Sequence, residues 1–222
     1  MAVSIAGVTA AQALTYYERR DEGYYHTEGN GEIIGKGAEA LNISGQIETT
    51  VFGRLLLGQN SLGEQIVKLA PNGEHRAGLD ITFSAPKSLS LLGISDERFI
   101  RAHERAVKEA IRYAEKHFSQ ARETHNGVTE KTDTGKLVVV LFHHSLSRAL
   151  DPQIHTHAIV MNMTQGEDGK WRALSNEQFF ERKMELGQVY RNALARIITQ
   201  EMGLSIESDS KGLFEITESA RN

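Results

Sequence analysis

"KLVVVLFHHSLSRALDPQIHTHAIVMNM" (residues 136–163) is the stretch from which the fold can be read. It opens and closes with runs of strand length, "KLVVVLFHH" (136–144) and "HTHAIVMNM" (155–163). Both runs are apolar on both alternations, so both faces of each strand are expected to be covered. Ten residues lie between His144 and His155, which suits a wide loop between antiparallel neighbours. Asp151 and Pro152 predict a turn inside that loop.

The same stretch holds His143, His144, His155 and His157, four of the nine histidines of the chain. A strand repeats every two residues, so His155 and His157 leave one face together. If the strands pair, His144 lies opposite or diagonal to them, and three imidazoles converge. Three histidines with open positions around one divalent ion make a catalytic layout, because a structural site is closed by a fourth ligand. An H-x-H pair alone also arises as a surface accident or a satisfied core pair. His144 on the facing strand moves the reading to a metal site. His143 points to the other face and is left out. His75, His103, His117 and His125 are read as ordinary residues of loops and helix faces.

Working outward, residues 9–20 read as a helix and 49–57 as a shorter one. "LDITFS" (79–84) alternates as a strand. Asp96 to Gln120 carries a helical stripe of Ile100, Ala106, Val107, Ala110, Ile111 and Ala114. "TEGNGE" (27–32) and "GKG" (35–37) are loop-like, and Trp171 resumes a short strand after a turn at 166–170. Ser175 to Gln178 fits a capping box opening a helix to about Met202, ended by Gly203. "LSIES" and "GLFEI" predict a closing hairpin over "DSKG". This order points to an α+β class, an antiparallel sheet with helices packed on one side.

At 222 residues the chain suffices for one domain, and its 40% hydrophobic content is ordinary. It has no cysteine, which excludes disulfides and thiolate metal sites and fits the cytosol. The N-terminus lacks the basic region of a signal peptide, and no apolar run has the length of a membrane span. The net charge of −4 requires any nucleic-acid surface to be a local patch. Lys36, Arg76, Lys87 and Arg148, all in loop-like stretches, are the candidate residues of such a patch, should the partner be a single-stranded nucleic acid. "GNGEIIGKG" (29–37) is no phosphate loop: Asn30 and Gly37 stand where glycine and a hydroxyl residue are required.

"TYYERRDEGYYHTEG" places Tyr16, Tyr17, Tyr24 and Tyr25 within ten residues. Paired tyrosines anchor helices by packing. A tyrosine hydroxyl is also a covalent nucleophile when a base or metal assists it, since its free pKa is near 10. The residues by themselves leave both readings open.

Taken together, the tyrosine pairs, "GKGAEALNISG" (35–45), "GLDITFSAPKSLS" (78–90) and "FHHSLSRALDPQIHTHAIVMN" (142–162) resemble the N-terminal domain of conjugative relaxases of the MobF type. These are single-strand DNA endonucleases of the HUH class, and the likeness runs over about residues 8 to 215 in order. It implies an antiparallel sheet of about five strands with a metal at its centre, within a single relaxase domain over 1–222. It implies nicking and rejoining of a plasmid origin of transfer through a 5′-phosphotyrosine. The four tyrosines become the candidate catalytic hydroxyls, with Tyr16 as main nucleophile and Tyr24 and Tyr25 serving a second strand transfer. His144, His155 and His157 become the metal ligands, and Asp80 orients a ligand or helps take the tyrosyl proton. The length of "ERRDEG" between the pairs varies among relatives, which leaves open which of the second pair enters the site.

The resemblance further implies one divalent ion. Mg²⁺ or Mn²⁺ is the expected physiological metal, although imidazole softness also admits Zn²⁺ or Ni²⁺. Expected partners are single-stranded transfer-origin DNA, relaxosome accessory proteins and the coupling protein of a type IV secretion system. The protein is expected to be a monomer in the bacterial cytoplasm, and relatives are exported with the DNA. Such relaxases continue into a helicase, whose motifs do not occur here, so the chain reads as a fragment of a longer protein. Two other readings stand beside this one: a rolling-circle replication initiator and a three-histidine metal hydrolase unrelated to DNA. Initiators carry their tyrosines C-terminal to the histidines, the reverse of the order here.

Overall fold

The computed structural model describes residues 3–18, 31–71, 73, 75–147 and 151–217. Its first elements are β1 (Val3–Val8), α1 (Ala10–Glu18), β2 (Glu32–Ile34), α2 (Lys36–Ala40), β3 (Gly45–Gln46), α3 (Thr49–Leu56), β4 (Gly78–Ser84), α4 (Lys87–Leu92) and α5 (Glu97–Phe118). Then come β5 (Gln120–His125), β6 (Val128–Asp133), β7 (Val139–Leu146), β8 (Pro152–Met161), β9 (Thr164–Gln165), β10 (Trp171–Arg172) and β11 (Leu174–Ser175). The chain continues with α6 (Glu177–Glu181), α7 (Lys183–Arg196), a π-helical turn (Ile197–Glu201), β12 (Ser205–Ser208) and β13 (Phe214–Thr217).

The runs around the histidines pair as expected. β7 and β8 form an antiparallel hairpin at the middle of a sheet ordered β1-β4-β8-β7-β2-β3. Each neighbouring pair in it is antiparallel. There are six strands rather than about five, because the short β3 adds an edge beside β2.

Strand alternation divides the core in two. Val139 and Leu141 of β7 and Ala158 and Val160 of β8 face α5 and α7, in one cluster with Ala106, Val107, Ala110, Tyr190 and Leu194. Val138, Val140, Phe142, Ile159 and Met161 face the other way, onto Ala13 of α1 and Phe52, Leu55 and Leu56 of α3. Helices therefore cover both faces, which corrects the expectation of one covered side. The doubly apolar pattern of β7 and β8 required it, since a bare apolar face would stand in water.

α5 follows its stripe closely. Asp96 caps it by accepting from the Arg98 amide at 2.9 Å. Five of the six stripe residues are buried and Ile100 is partly so. The capping box at Ser175 does not form. Ser175 pairs with Gln120 as part of β11, and Asn176 takes the N-cap position without a side-chain bond. The helix predicted to Met202 is broken at Arg182 and ends in the π turn before Gly203, whose φ is 69°. "GKG" is no loop beyond Gly35: α2 starts at Lys36. Gly35 has φ 106°, and a methyl there would overlap the Leu137 carbonyl oxygen, so glycine is required. The closing hairpin forms as β12 and β13. β1, β2, β3 and the β5–β6 hairpin were not foreseen. No described helix is long and apolar enough to cross a membrane.

Gly78 opens β4 against β8, and an added Cβ would overlap the Val160 carbonyl oxygen. Gly78→Ala is expected to destabilise the fold by about 1–3 kcal/mol, the usual cost of overpacking a closed site. Urea unfolding measures it, and an unchanged midpoint would show that the strand can move aside.

Glu32 of β2 binds Lys108 of α5 at 2.7 Å and faces Nε2 of His143 at 4.0 Å. The second distance is too long for a hydrogen bond and acts as through-space attraction. The His143 imidazole and the Lys108 ammonium together hold the Glu32 carboxyl down from 4.5 to about 2. A depressed carboxylate stabilises the fold above its unfolded pKa and loses that contribution as pH falls. The stability gap between wild type and Glu32→Gln is thus expected to be full above pH 4.5 and to close toward pH 2. Urea midpoints across that range test it, and a gap independent of pH would contradict it.

Candidate metal centre

β7 and β8 bring the three histidines together. His144 and His155 are direct partners across the ladder, and His157 sits two residues along β8 on the same face. Ring centroids are 5.0 Å apart for His144 and His155, 5.5 Å for His144 and His157, and 5.3 Å for His155 and His157. One ligating nitrogen from each lies within 4.8 Å of the others. Two nitrogens on a single ion at ordinary bond length are at most roughly 4 Å apart, so small side-chain rotations complete the convergence. All three rings are partly exposed, which leaves room for further ligands.

The outer nitrogens of His155 and His157 are already engaged. His157 Nδ1 lies 3.0 Å from both carboxylate oxygens of Asp80 and 3.2 Å from Oγ1 of Thr82. His155 Nδ1 lies 2.8 Å from the Gln153 carbonyl oxygen, to which it can only donate. Both contacts place the proton on Nδ1 and turn the Nε2 lone pair toward the shared space. A carboxylate or carbonyl behind the imidazole is the usual support of a metal-ligating histidine. Burial pushes His155 below the ordinary imidazole range, which favours the neutral form that binds metal. The residues therefore fit a divalent ion.

β4 supplies Asp80 and Thr82 from the other side of β8, where Thr82 pairs with His157. Thr82 was not singled out in the sequence, although its position two residues from Asp80 on one strand face was a usable signal. His143 points to the opposite face, as its alternation required: its Nδ1 meets Thr156 Oγ1 at 2.8 Å. α1 lies over the triad face, with Ala13 in the apolar cluster that also holds Phe142 and Ile159. Tyr16 and Tyr17 fall in the last turns of α1, and Tyr24 and Tyr25 lie outside the described residues.

The three described candidate DNA-binding cations are not grouped. Lys87 is exposed at the triad end, just past Ser84, the partner of His155, and its Nζ donates to the Pro152 carbonyl at 3.0 Å. Arg76 donates to Asn162 Oδ1 at 3.1 Å, at the other end of β8, seven residues or roughly 23 Å from His155. Lys36 stands beside Leu137, at the far end of β7 from His144. Arg148 lies outside the described residues.

The model of the TrwC relaxase family matches residues 10–222. The chain belongs to the TrwC relaxase family. It is 37% identical to the multifunctional conjugation protein TraI of Escherichia coli (strain K12), an alignment that covers 96% of this chain and 13% of TraI. The chain thus spans about an eighth of the length of that curated relative. Among solved structures, the metal-bound complex of conjugative relaxase TrwC with oriT DNA superposes with a TM-score of 0.88 at 38% identity, covering 99% of this chain and 76% of TrwC. TrwC complexed with a 27-mer DNA comprising the recognition hairpin and the cleavage site gives 0.85 at 36% identity, covering 97% and 74%. The TrwC relaxase fold thus accounts for the α+β architecture, and the histidine triad is the metal site of a relaxase-family chain.

Proposed function

We propose that this chain is a relaxase domain, over residues 1–222, that nicks and rejoins one strand at a plasmid origin of transfer. The observation that carries the reading is the triad of His144, His155 and His157, backed by Asp80, on the sheet face that α1 covers in a TrwC-family chain. The Tyr16 hydroxyl is the nucleophile. Its oxygen forms a bond to the scissile phosphorus while the bond to the 3′ oxygen breaks. The tyrosyl proton is taken up at Asp80 and passed on to solvent, and the departing 3′ oxygen takes a proton from solvent to become a hydroxyl. One phosphodiester replaces another, so the step is nearly isoenergetic and reverses to reseal the strand. His144, His155 and His157 would hold a divalent ion, which would supply Lewis-acid polarisation of a phosphate oxygen. Mn²⁺ or Mg²⁺ is the working metal. His157 has its proton held toward Asp80, and the partly exposed rings leave open positions for phosphate.

Tyr24 and Tyr25 are assigned to the second strand transfer that ends conjugation, with Tyr17 a further candidate catalytic hydroxyl beside Tyr16. Lys87, at the triad end, is the cation best placed for the DNA backbone; Lys36, Arg76 and Arg148 are assigned to further DNA contacts. The chain works with relaxosome accessory proteins and a secretion coupling protein, in the bacterial cytoplasm. The test is incubation with Mn²⁺ and a pool of labelled single-stranded transfer-origin oligonucleotides, read on a denaturing gel. A protein-linked band supports the reading. Absence of an adduct with every oligonucleotide, despite bound metal, refutes it.

A further inference from the structure

Thr156 stands between two metal ligands and faces away from both. It is 0% exposed, on the α5 side of the sheet, where its neighbours Ile154, Ala158 and Leu141 are apolar. A valine would fill that space without a polar atom. Instead Thr156 Oγ1 meets two imidazoles, His103 Nε2 from α5 at 2.8 Å and His143 Nδ1 from β7 at 2.8 Å. His103 Nδ1 in turn meets the Tyr190 hydroxyl of α7 at 2.7 Å. His103 is 1% exposed and Tyr190 0%.

These contacts are mutually consistent. A neutral imidazole offers one donor and one acceptor. The Glu32 carboxylate, which only accepts, favours the His143 proton on Nε2. His143 Nδ1 then accepts from the Thr156 hydroxyl, Thr156 Oγ1 accepts from His103 Nε2, and His103 Nδ1 accepts from the Tyr190 hydroxyl. Each buried polar atom of the chain from Tyr190 to Thr156 is thereby matched. Burial holds His103 well below the ordinary imidazole range, in agreement with a neutral ring.

The location of this chain is what gives it a role. Thr156 pairs with His143, and the flanking pairs of the ladder are His144 with His155 and Phe142 with His157. Immediately beyond His144 the register shifts, before Leu146 pairs with Pro152. The regular ladder thus ends at the ligands themselves. β8 is held here by β4 as well as β7, but at His143 and His144 the described ladder of β7 runs to β8 alone, since its pairing with β2 stops at Leu141. A side-chain tie at the neighbouring pair adds the constraint that this one-sided ladder lacks. We propose that Thr156, with His103 and Tyr190 behind it, is a positioning group for the metal site: it locks His155 and His157 against His144 from the opposite face of the sheet. It complements Asp80, which orients His157 on the ligand face. The inference rests on the metal reading of the triad.

The test is titration of Co²⁺ into the metal-free protein, followed by its d–d absorption. Thr156→Val is expected to weaken Co²⁺ binding by about 10–100-fold, the range for loss of an outer support, and to shift the bands. Thr156→Ser, which keeps the hydroxyl, is expected to restore both toward wild type. Tyr190→Phe, which keeps the ring and removes the last donor, should shift them in the same direction by less. Thermal unfolding of the metal-free variants separates packing from positioning, because a structural role alone lowers the midpoint and leaves the Co²⁺ spectrum of the folded protein as it was. Wild-type affinity and bands in Thr156→Val overturn the proposal. If that variant does not fold, unchanged bands and affinity in Tyr190→Phe overturn it instead. Failure of the metal reading shows elsewhere: wild type without Co²⁺ bands, or His155→Ala binding Co²⁺ like wild type, removes the site and the proposal with it.

Discussion

Tyr16→Phe is expected to form no covalent DNA adduct while binding the transfer-origin oligonucleotide within a few fold of wild type. The substitution removes one oxygen and leaves the ring. Loss of a nucleophile removes the reaction route itself, so cleavage should fall by more than about 10³-fold, as for nucleophile deletions in other covalent enzymes. Affinity depends mostly on phosphate contacts and stacking, which the variant keeps. A gel shift of the unmodified oligonucleotide gives affinity, and a denaturing gel with peptide mass spectrometry gives the adduct and its site. Full cleavage by the variant would move the nucleophile to Tyr17, Tyr24 or Tyr25. Wild-type peptides carrying the nucleotide on Tyr16 would confirm the assignment directly.

His155→Ala is expected to lose metal and cleavage together. His155 is one of three converging imidazoles, and its ring stacks on His144 with centroids 5.0 Å apart. Removing an outer support of a metal ligand costs about 10–100-fold in affinity, so removing a ligand should cost more than the upper figure. The ring is partly exposed, so its removal leaves no closed core cavity and the fold should persist. Mn²⁺ titration of the folded variant measures the loss, and the adduct assay follows it. Mn²⁺ retained at wild-type affinity would exclude His155 from the ligand set. Mn²⁺ lost with cleavage intact would separate the metal from the chemistry.

The strands and the triad were legible for a definite reason. His144, His155 and His157 lie within fourteen positions, on two apolar runs joined by a ten-residue connection. Alternation then decides the face of each histidine, and antiparallel closure decides that they meet. The same reasoning rightly excluded His143. The long helix was legible because its stripe recurs from Ile100 to Ala114 within a helix of 22 residues. The Ser175 capping box failed because β5 claimed Ser175 for a strand, and "GKG" failed because the Leu137 carbonyl sits where a side chain of residue 35 would be. Neither contact has any trace in the local pattern.

Among the four histidines read as ordinary, His103 is one whose role packing changed. It lies on the buried stripe of α5, four residues after Phe99 and three before Ala106, and that polar interruption was its visible signal. The sequence by itself determined which residues alternate, which face each histidine takes and which helix is amphipathic, because these depend on the period of the backbone. Only the tertiary structure decided that β1 and β4 complete the sheet beside β8, that Asp80 supports His157 from 77 positions away, and that His103 reaches Thr156 from 53 positions away. Such contacts are set by how distant elements close over a shared core, and local periodicity carries no record of that choice.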